Sequence, residues 1–574
     1  MKHQPTIEQQ TICKLATTGE NLLIEALAGT GKTSTGKLIA EAVPNKTCLS
    51  IFFNKKNAEE GMAQKDRPSN MFYSTIHSLC YRQIVLPSIQ KAKALKELST
   101  KAASDYYSAN ESKTDSKELE LLYQNYVTLR EKTKELNDFG TKLNNFLLFE
   151  DIDTSLLKKL LLNEEAYQKG EFNKELGKLQ RVVLDCMKLW QQSDAMDCFT
   201  FVSTLHNWQL GFKTSFEQIT LEDLTLDVIT DEKEKQFRRE CIAGTCELLW
   251  KAMIDASHKA KLTHDTYVKL FQLEGRTFTQ VYDVANKMFL SIDLLILDEV
   301  QDSNAVTLSI FNNQTHLQRI ACGDKNQNLY AWRGAMNDFS RFASWNKASL
   351  TESFRFGQAI ADLANKVLAL PIRNTKLRLV GRGTDVGTGQ TAILCRTNAS
   401  VLQTVFSLLL QDGKVACVSK FSEMESMMYH VFAVLNEQVP KFPAASLKSF
   451  DTKEKMWQAI ESNQELAQVY KLAKMISEAK GGLYSGLKYL KENLCEQNKA
   501  DFVVSTIHAS KGLGFTKVVI GEDFLVPTSI DGCVTYEFAI EEMFASNSMT
   551  SLLYVAITRA MKEVVLPSYL EGVL

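Results

Sequence analysis

The sequence predicts an α/β chain built on parallel sheets, and three stretches carry that prediction. Residues 21–34 (Asn-Leu-Leu-Ile-Glu-Ala-Leu-Ala-Gly-Thr-Gly-Lys-Thr-Ser) run from an apolar strand through a glycine-rich turn toward the helical pattern of Lys37 to Val43. Residues 292–302 (Ile-Asp-Leu-Leu-Ile-Leu-Asp-Glu-Val-Gln-Asp) form a buried-strand run that breaks into carboxylates at its C-terminal end, the edge where parallel sheets place ligands. Between them lies a long tract rich in Lys, Glu and Leu at helical spacing, as in Lys117–Tyr123 and Phe237–Ala243.

Composition bounds the rest. A chain of 574 residues is too long for one core and leaves room for about three or four domains. The hydrophobic fraction of 45% and charged fraction of 23% are ordinary globular values, and 9 prolines and 27 glycines argue against long disordered linkers. The net charge of −2 neither supports nor excludes a local basic channel for nucleic acid. Twelve cysteines are scattered singly, and the closest pair, Cys241 and Cys246, lacks metal-ligand spacing, so reduced thiols are expected. No apolar run is long enough to cross a bilayer, and Met1 to Pro5 lead into no signal core. The expectation is a soluble intracellular protein, cytoplasmic and nucleoid-associated if bacterial or phage, nuclear if eukaryotic.

The first stretch is a P-loop in its expected context, although Ala26 stands where the motif's first glycine belongs. Gly29 and Gly31 let the backbone from Ala28 through Thr30 to Ser34 curl so that N–H groups face phosphate oxygens. Lys32 then reaches the β- and γ-phosphates, and Thr33 a Mg²⁺ ion. At the acidic strand tip Asp298 would hold that ion while Glu299 activates the attacking water. A solvated acidic turn would explain one such carboxylate, but not the P-loop that accompanies it. Residues 322–335 follow another short apolar strand and combine Gln327, suited to sensing phosphate, with Tyr330 and Trp332. A lone Trp is more often core than a base platform; this motif context favours the platform. Residues 505–514 and 552–560 add hydroxyl, imidazole and guanidinium groups at the ends of apolar runs, all phosphate-binding side chains.

Taken in order, these motifs resemble the superfamily 1 DNA helicases of the UvrD/Rep type. The resemblance implies two RecA-like P-loop motor domains with parallel sheets, each interrupted by a mainly helical insertion. It implies domain limits of 1–88 and 285–345 for the first motor domain, 89–284 for its helical insertion, 346–430 and 501–574 for the second motor domain, and 431–500 for a smaller insertion subdomain. Gln9 resembles the family's adenine-reading glutamine, Phe354 its adenine-stacking aromatic, and Arg355 and Arg559 its arginine fingers. Phe52, Asn54, Lys55, Thr75, His77, Tyr330, Trp332, Thr506 and His508 are the implied DNA-contacting residues. Within the family, Thr263–Leu273 and Ser353–Phe356 look most like the helicase core of the F-box DNA helicases. Only a few residues precede Gln9 and no F-box is among them, so recruitment into a ubiquitin ligase is not implied.

The implied activity is ATP hydrolysis with Mg²⁺, driving 3′ to 5′ movement on single-stranded DNA in repair, recombination or replication. Tailed or forked duplexes are the implied substrates, and protein displacement without extensive unwinding is the alternative use of the same motor. Two departures stand out. Gly514 occupies the place of a ribose-contacting glutamate, and Ser548 and Met549 replace an acidic pair. Gly514 leaves two readings open: weak sugar recognition, or a left-handed backbone with Glu522 or Asp523 reaching the ribose.

Overall fold

The computed structural model describes residues 4–574 except 113–114, 136–138, 145–148, 150–151, 162–168, 206–231, 256, 284–285, 331–333, 384–388, 419–421, 443, 445–446, 448–449, 526–527 and 531–532. Among the described residues two parallel sheets organise the chain. The first contains β1 (Leu22–Ala26), β2 (Cys48–Ile51), β3 (Met71–Ser74), β4 (Leu294–Leu297), β5 (Gln318–Gly323) and β6 (Asn346–Leu350), in the order β3-β2-β4-β5-β1-β6. The second contains β7 (Thr391–Cys395), β8 (Val415–Cys417), β9 (Phe502–Thr506), β10 (Phe515–Ile520) and β11 (Ala560–Val565), in the order β8-β9-β7-β10-β11.

Register decides where the chemistry lands. β1 pairs in parallel with β5 and β6, Leu22 lying opposite Ile320 on one side and Asn346 on the other. β2 likewise sets Ile51 opposite Ser74 and Leu297. Helices on both faces bury these strands, which explains their continuous rather than alternating apolar runs. The chain therefore leaves every strand at one edge, where the P-loop, Asp298, Asp324 and Thr75 follow β1, β4, β5 and β3.

The helices of the first half divide into two groups. α1 (Ile7–Thr17) and α2 (Lys32–Ala42) pack on the first sheet, where α1 contributes Ile12 and Ala16 and α2 contributes Ile39 and Ala40. α3 (Ile76–Glu111) leaves that sheet as one 36-residue helix with Pro87 inside it, so the chain passes residues 88–89 without a break. α4 (Ser116–Glu135) packs back on α3. α5 (Lys169–Gln192) and α6 (Glu232–Ile254) build a separate apolar core around Trp190 and Trp250, whose rings meet edge to face at 4.8 Å. α7 (His264–Leu273) joins the two groups. Its Tyr267, Val268 and Phe271 enter the core of the first sheet, while its buried Lys269 lies 4.8 Å over the Trp190 ring and donates to the Ser193 carbonyl at 3.1 Å.

α8 (Ser422–Leu435) crosses the expected limit at 430/431, and the second insertion holds its end with α9 (Lys453–Ser462), α10 (Gln464–Lys480) and α11 (Leu483–Asn493). Among the described residues it has no core of its own. Met428, Val469, Leu472 and Ile476 share one cluster with Val405, Phe406 and β9's Val504, so these helices cap the second sheet. α12 (Asn547–Ile557) is buried along nearly its whole length and packs against the other side of that sheet. No helix among the described residues is long and apolar enough to cross a membrane.

Because Trp190 anchors a core independent of both sheets, Trp190→Ala is expected to cost about 3–5 kcal/mol, the usual penalty for removing a buried large aromatic. Chemical denaturation should detect this as loss of α5–α6 structure ahead of the sheets.

Candidate active site and nucleic-acid interface

The P-loop is shaped by two glycines in left-handed conformation, Gly29 at φ 73° and Gly31 at φ 77°. Only glycine adopts these angles without strain. Space demands it as well, since a Cβ on Gly29 would lie 2.5 Å from Ser353 Oγ and 2.9 Å from Arg355 Cβ. The segment after β6 thus rests directly on the loop, and the Phe354 N–H donates to the Gly29 carbonyl at 2.9 Å. Gln9 and the Phe354 ring converge over Gly31, 3.6 and 3.7 Å from where its Cβ would be. Gln9 is positioned by its own helix start: its Oε1 accepts from the Thr6 N–H, and its Nε2 donates to Thr35 Oγ1, each at 3.1 Å. The Thr30 hydroxyl turns back to the Leu27 carbonyl at 2.8 Å, while Thr33 and Ser34 face solvent.

Facing this loop is the acidic tip of β4. Lys32 Nζ lies 3.8 Å from Glu299 Oε1, and the Thr33 hydroxyl donates to Asp298 Oδ2 at 3.4 Å. Glu299 itself sits at φ 54°, a left-handed strain that costs a non-glycine residue on the order of 1–3 kcal/mol. Two hydrogen bonds hold it there: its N–H donates to Asp298 Oδ1 at 2.9 Å, and Gln301 Nε2 donates to its Oε2 at 2.5 Å. Burial and the adjacent Glu299 push Asp298 up to about 7. Burial also acts to raise Glu299, but Lys32 and then Lys511 outweigh it and hold that carboxyl below its ordinary value. Gln327 is buried, and its Nε2 donates to Asp324 Oδ2 at 2.8 Å. Its amide is therefore committed to a neighbouring acid in this state, and sensing a phosphate would require it to turn.

The second sheet supplies the opposite wall. Arg355 donates to the Thr558 carbonyl at 3.0 Å. Arg559 donates to the Val555 and Leu513 carbonyls at 3.1 and 3.3 Å and to Thr558 Oγ1 at 3.4 Å. Burial lowers both guanidiniums, and Arg355 lowers Arg559 further. The half-buried Arg355 and the buried Arg559 hydrogen-bond only neutral acceptors, with the Glu299 carboxylate as their nearest named countercharge, so together they can receive a further anion.

Three further residues stitch the walls together, and sequence reasoning assigned them no role although all lie within the motif segments. The Ala28 N–H donates to the Tyr554 hydroxyl at 3.1 Å. Lys511 donates to Asp302 Oδ2 at 2.6 Å and to the Gln327 carbonyl at 2.9 Å. Lys511 stands in the 505–514 motif segment, but nothing in the sequence links it to Asp302.

Gly514 is corrected in one respect. Gly512 is left-handed at φ 92°, but Gly514 is not, so backbone conformation does not demand its glycine. Space does not demand it either, since the one atom that a Cβ there would crowd is Met561 Cε at 2.7 Å, the movable end of a flexible side chain. Asp523 does not reach toward the ribose position either. Its carboxylate accepts the Arg396 and Thr397 N–H groups at 3.0 and 2.8 Å, securing the start of the helix Asn398–Leu409.

On the nucleic-acid side, the expectation for Phe52 fails. Phe52 is 7% exposed and packs on Tyr73 at 5.3 Å, because just past the end of β2 this side chain turns into the core. Its neighbour Phe53 is 44% exposed and stacks on Tyr330 with centroids 5.5 Å apart and planes at 15°. Asn54 and Thr75 act first as helix caps: Asn54 Oδ1 accepts the Asn57 N–H at 2.8 Å, and the buried Thr75 Oγ1 accepts the Ser78 N–H at 3.1 Å. Lys55 is exposed and pairs loosely with Glu59 at 3.4 Å. The His77 side chain is 46% exposed, its Nε2 3.7 Å from Asp265 Oδ1. Across the cleft, His508 lies 6.4 Å from Tyr330, and Thr506 Oγ1 accepts the Ala509 N–H at 3.2 Å. Trp332 lies outside the described residues.

Lys511→Ala would leave Asp302 buried without its cation, and the expected loss is about 3–5 kcal/mol in chemical denaturation. Adding Asp302→Asn should restore part of it, because the amide removes the stranded charge.

Residues 6–344 match the UvrD/REP helicase N-terminal domain, and residues 220–571 match the UvrD-like helicase C-terminal domain. F-box DNA helicase protein 1 of Schizosaccharomyces pombe is 25% identical over 601 residues, covering 98% of this chain and 57% of its own length. F-box DNA helicase 1 of Gallus gallus is 25% identical over 583 residues, covering 97% of this chain and 48% of its own. A Mycoplasma capricolum protein, "Probable DNA helicase II homolog", is 31% identical over 231 residues, 31% of each chain. The chain spans about half the length of the two F-box relatives. With two RecA-like α/β domains, helical insertions and family matches that together run from residue 6 to 571, the chain belongs to the UvrD/Rep family of superfamily 1 helicases.

Proposed function

We propose that the chain is an ATP-driven helicase or translocase that moves 3′ to 5′ on single-stranded DNA and acts on tailed or forked duplexes in repair, recombination or replication. The observation that carries this reading is the pair of guanidiniums, half-buried Arg355 and buried Arg559, hydrogen-bonded to neutral acceptors opposite the P-loop and Glu299. A nucleoside triphosphate supplies the anion such a pair lacks. Lys32 would bind its phosphates, with Ala28 to Ser34 cradling them and Gln9 and Phe354 flanking the adenine. Glu299 would take the proton of the attacking water, and Gln327 would report on the γ-phosphate.

The Thr33 hydroxyl and Asp298 carboxylate form a hard-oxygen pair that fits Mg²⁺, which takes few protein ligands and completes its shell with phosphate and water. Bound there, the ion would neutralise charge on the β- and γ-phosphates. Arginine fingers contribute about three to five decades of rate, so hydrolysis should depend on how the two walls meet. Phe53, Tyr330 and Trp332 are the proposed base platforms, with His77, Thr506 and His508 beside them and Asn54, Lys55 and Thr75 shaping the track. The domain limits given under Sequence analysis are kept as proposals. A DNA substrate puts the protein in the cytoplasm at a nucleoid, or in a nucleus if its host is eukaryotic.

Two variants test the chemistry. Lys32→Ala should weaken nucleotide binding, whereas Glu299→Gln should keep ATP bound and cut single-strand-stimulated turnover roughly 10²–10⁴-fold. Unchanged turnover in Glu299→Gln would remove Glu299 from catalysis.

A second test concerns the sugar. With glycine at 514 and Asp523 committed to capping, only the exposed Glu522 is left of the acids named for the ribose, and kcat/KM for ATP and its 2′-deoxy analogue should agree within about threefold. Steady-state kinetics with both nucleotides decides it, and a large preference for ATP would mean that another group reads the hydroxyl.

A further inference from the structure

Beside α2, where it packs over β2, β3 and β4, lies a cavity of about 10 Å³, close to the least space that holds one water molecule. Its polar lining is Lys32, Thr33, Ser50, Tyr73 and Asp298, and the rest of the wall is mainly apolar. Lys32, Thr33 and Asp298 already have parts at the phosphates and the metal. Tyr73 has none.

Tyr73 is 7% exposed, and its hydroxyl is buried with no hydrogen-bond partner. Burying a hydroxyl in that way is costly, and a phenylalanine would fill the same volume without the cost. Burial pushes the phenol up to about 12, so it keeps its proton and stands as a donor. Its neighbours hold the ring in place. Phe52 packs on it with centroids 5.3 Å apart and planes at 33°. Gly61, in the helix Lys55–Ala63, lies so near that a Cβ there would be 3.0 Å from the ring's Cγ and Cδ2. The Tyr73 N–H donates to Met62 Sδ at 3.3 Å, which ties β3 to the same helix.

The acceptor in the cavity is Asp298, near enough to act electrostatically on the phenol. Its Oδ1 accepts the Glu299 N–H at 2.9 Å and its Oδ2 the Thr33 hydroxyl at 3.4 Å. Each carboxylate oxygen has a second lone pair to offer. No hydrogen bond joins Tyr73 to Asp298 directly, but one water in this space would bridge them, with the Thr33 and Ser50 side chains as further partners. We propose that Tyr73 is a positioning residue for the metal site, its hydroxyl donating through a single water to Asp298 and so fixing the carboxylate that, with Thr33, holds Mg²⁺. The proposal rests on the metal reading given under Proposed function and adds to it a residue from outside the P-loop and the acidic strand tip. Groups that hydrogen-bond a metal-ligating carboxylate orient it, and their loss typically weakens the metal roughly 10- to 100-fold.

Tyr73→Phe removes one oxygen and keeps the ring. The measurement is equilibrium binding of a fluorescent, non-hydrolysable ATP analogue to the full chain across a Mg²⁺ titration. The variant should need about tenfold more Mg²⁺ to reach half of the metal-dependent tightening, while binding without Mg²⁺ stays within about twofold of native. Gly61→Ala keeps the phenol but crowds its ring, so it should move the Mg²⁺ midpoint in the same direction by a smaller factor. A merely orphaned hydroxyl predicts otherwise: Tyr73→Phe would leave the midpoint in place and resist denaturant better than the native chain. An unmoved midpoint in Tyr73→Phe therefore overturns the proposal. So does an equal loss of binding with and without Mg²⁺, which would make Tyr73 a support of the P-loop and not of the metal. Native binding indifferent to Mg²⁺ would sink the metal reading itself, and the role of Tyr73 with it.

Discussion

Lys511 reaches from the second sheet into the first to meet Asp302, and both side chains are almost wholly buried. Charges taken out of water must be matched nearby or they destabilise the fold by several kcal/mol. The whole seam obeys this constraint. Lys32 sits against Glu299, Gln327 ties up Asp324, and the Tyr554 hydroxyl takes the Ala28 N–H in place of water. Every one of these groups stands at the C-terminal edge of a parallel strand or faces it, which is why two sheets with little sequence contact between them share one site.

The unmatched groups are as informative as the matched ones. Arg355 and Arg559 have carbonyl and hydroxyl partners, Asp298 is pushed up by burial beside Glu299, and Asp302 keeps one oxygen unpaired. Glu299 is held in a strained backbone conformation by Asp298 and Gln301. Strain and unpaired charge persist only where the surrounding structure imposes them, and such places concentrate at working sites. In the cleft they meet the P-loop and the arginines of the opposite wall, whereas the unpaired atoms of Asp185 and His430 lie in the helices away from it.

The nucleic-acid face is organised by helix caps. Asn54 and Thr75 both spend their side-chain oxygen on the first turn of a helix, which fixes the loops leaving β2 and β3. That rigidity sets which neighbouring side chain points outward, and it selects Phe53 and His77 rather than Phe52. The insertion takes part as well, since α7 brings Asp265 and α5 brings Gln192 to the same face.

Local pattern was enough to locate the P-loop, the acidic tip of β4 and the helical tract between them, because strand burial, glycine geometry and helical periodicity are properties of consecutive residues. The family likeness rested on the same short segments and led to both sheets and both insertions. It named Phe52 where Phe53 is the exposed ring, because a strand alternates its faces and its exact last residue sets which face is outward. Nor could it give Lys511, Tyr554 or Gln301 their roles, or show that the second insertion shares its core with the sheet it interrupts. Those facts depend on contacts between residues far apart in the chain, and only the folded arrangement brings such residues within hydrogen-bonding distance. The identity of the chemical groups was written locally, while their pairing across the seam was decided by tertiary structure, where burial makes each unpaired charge costly.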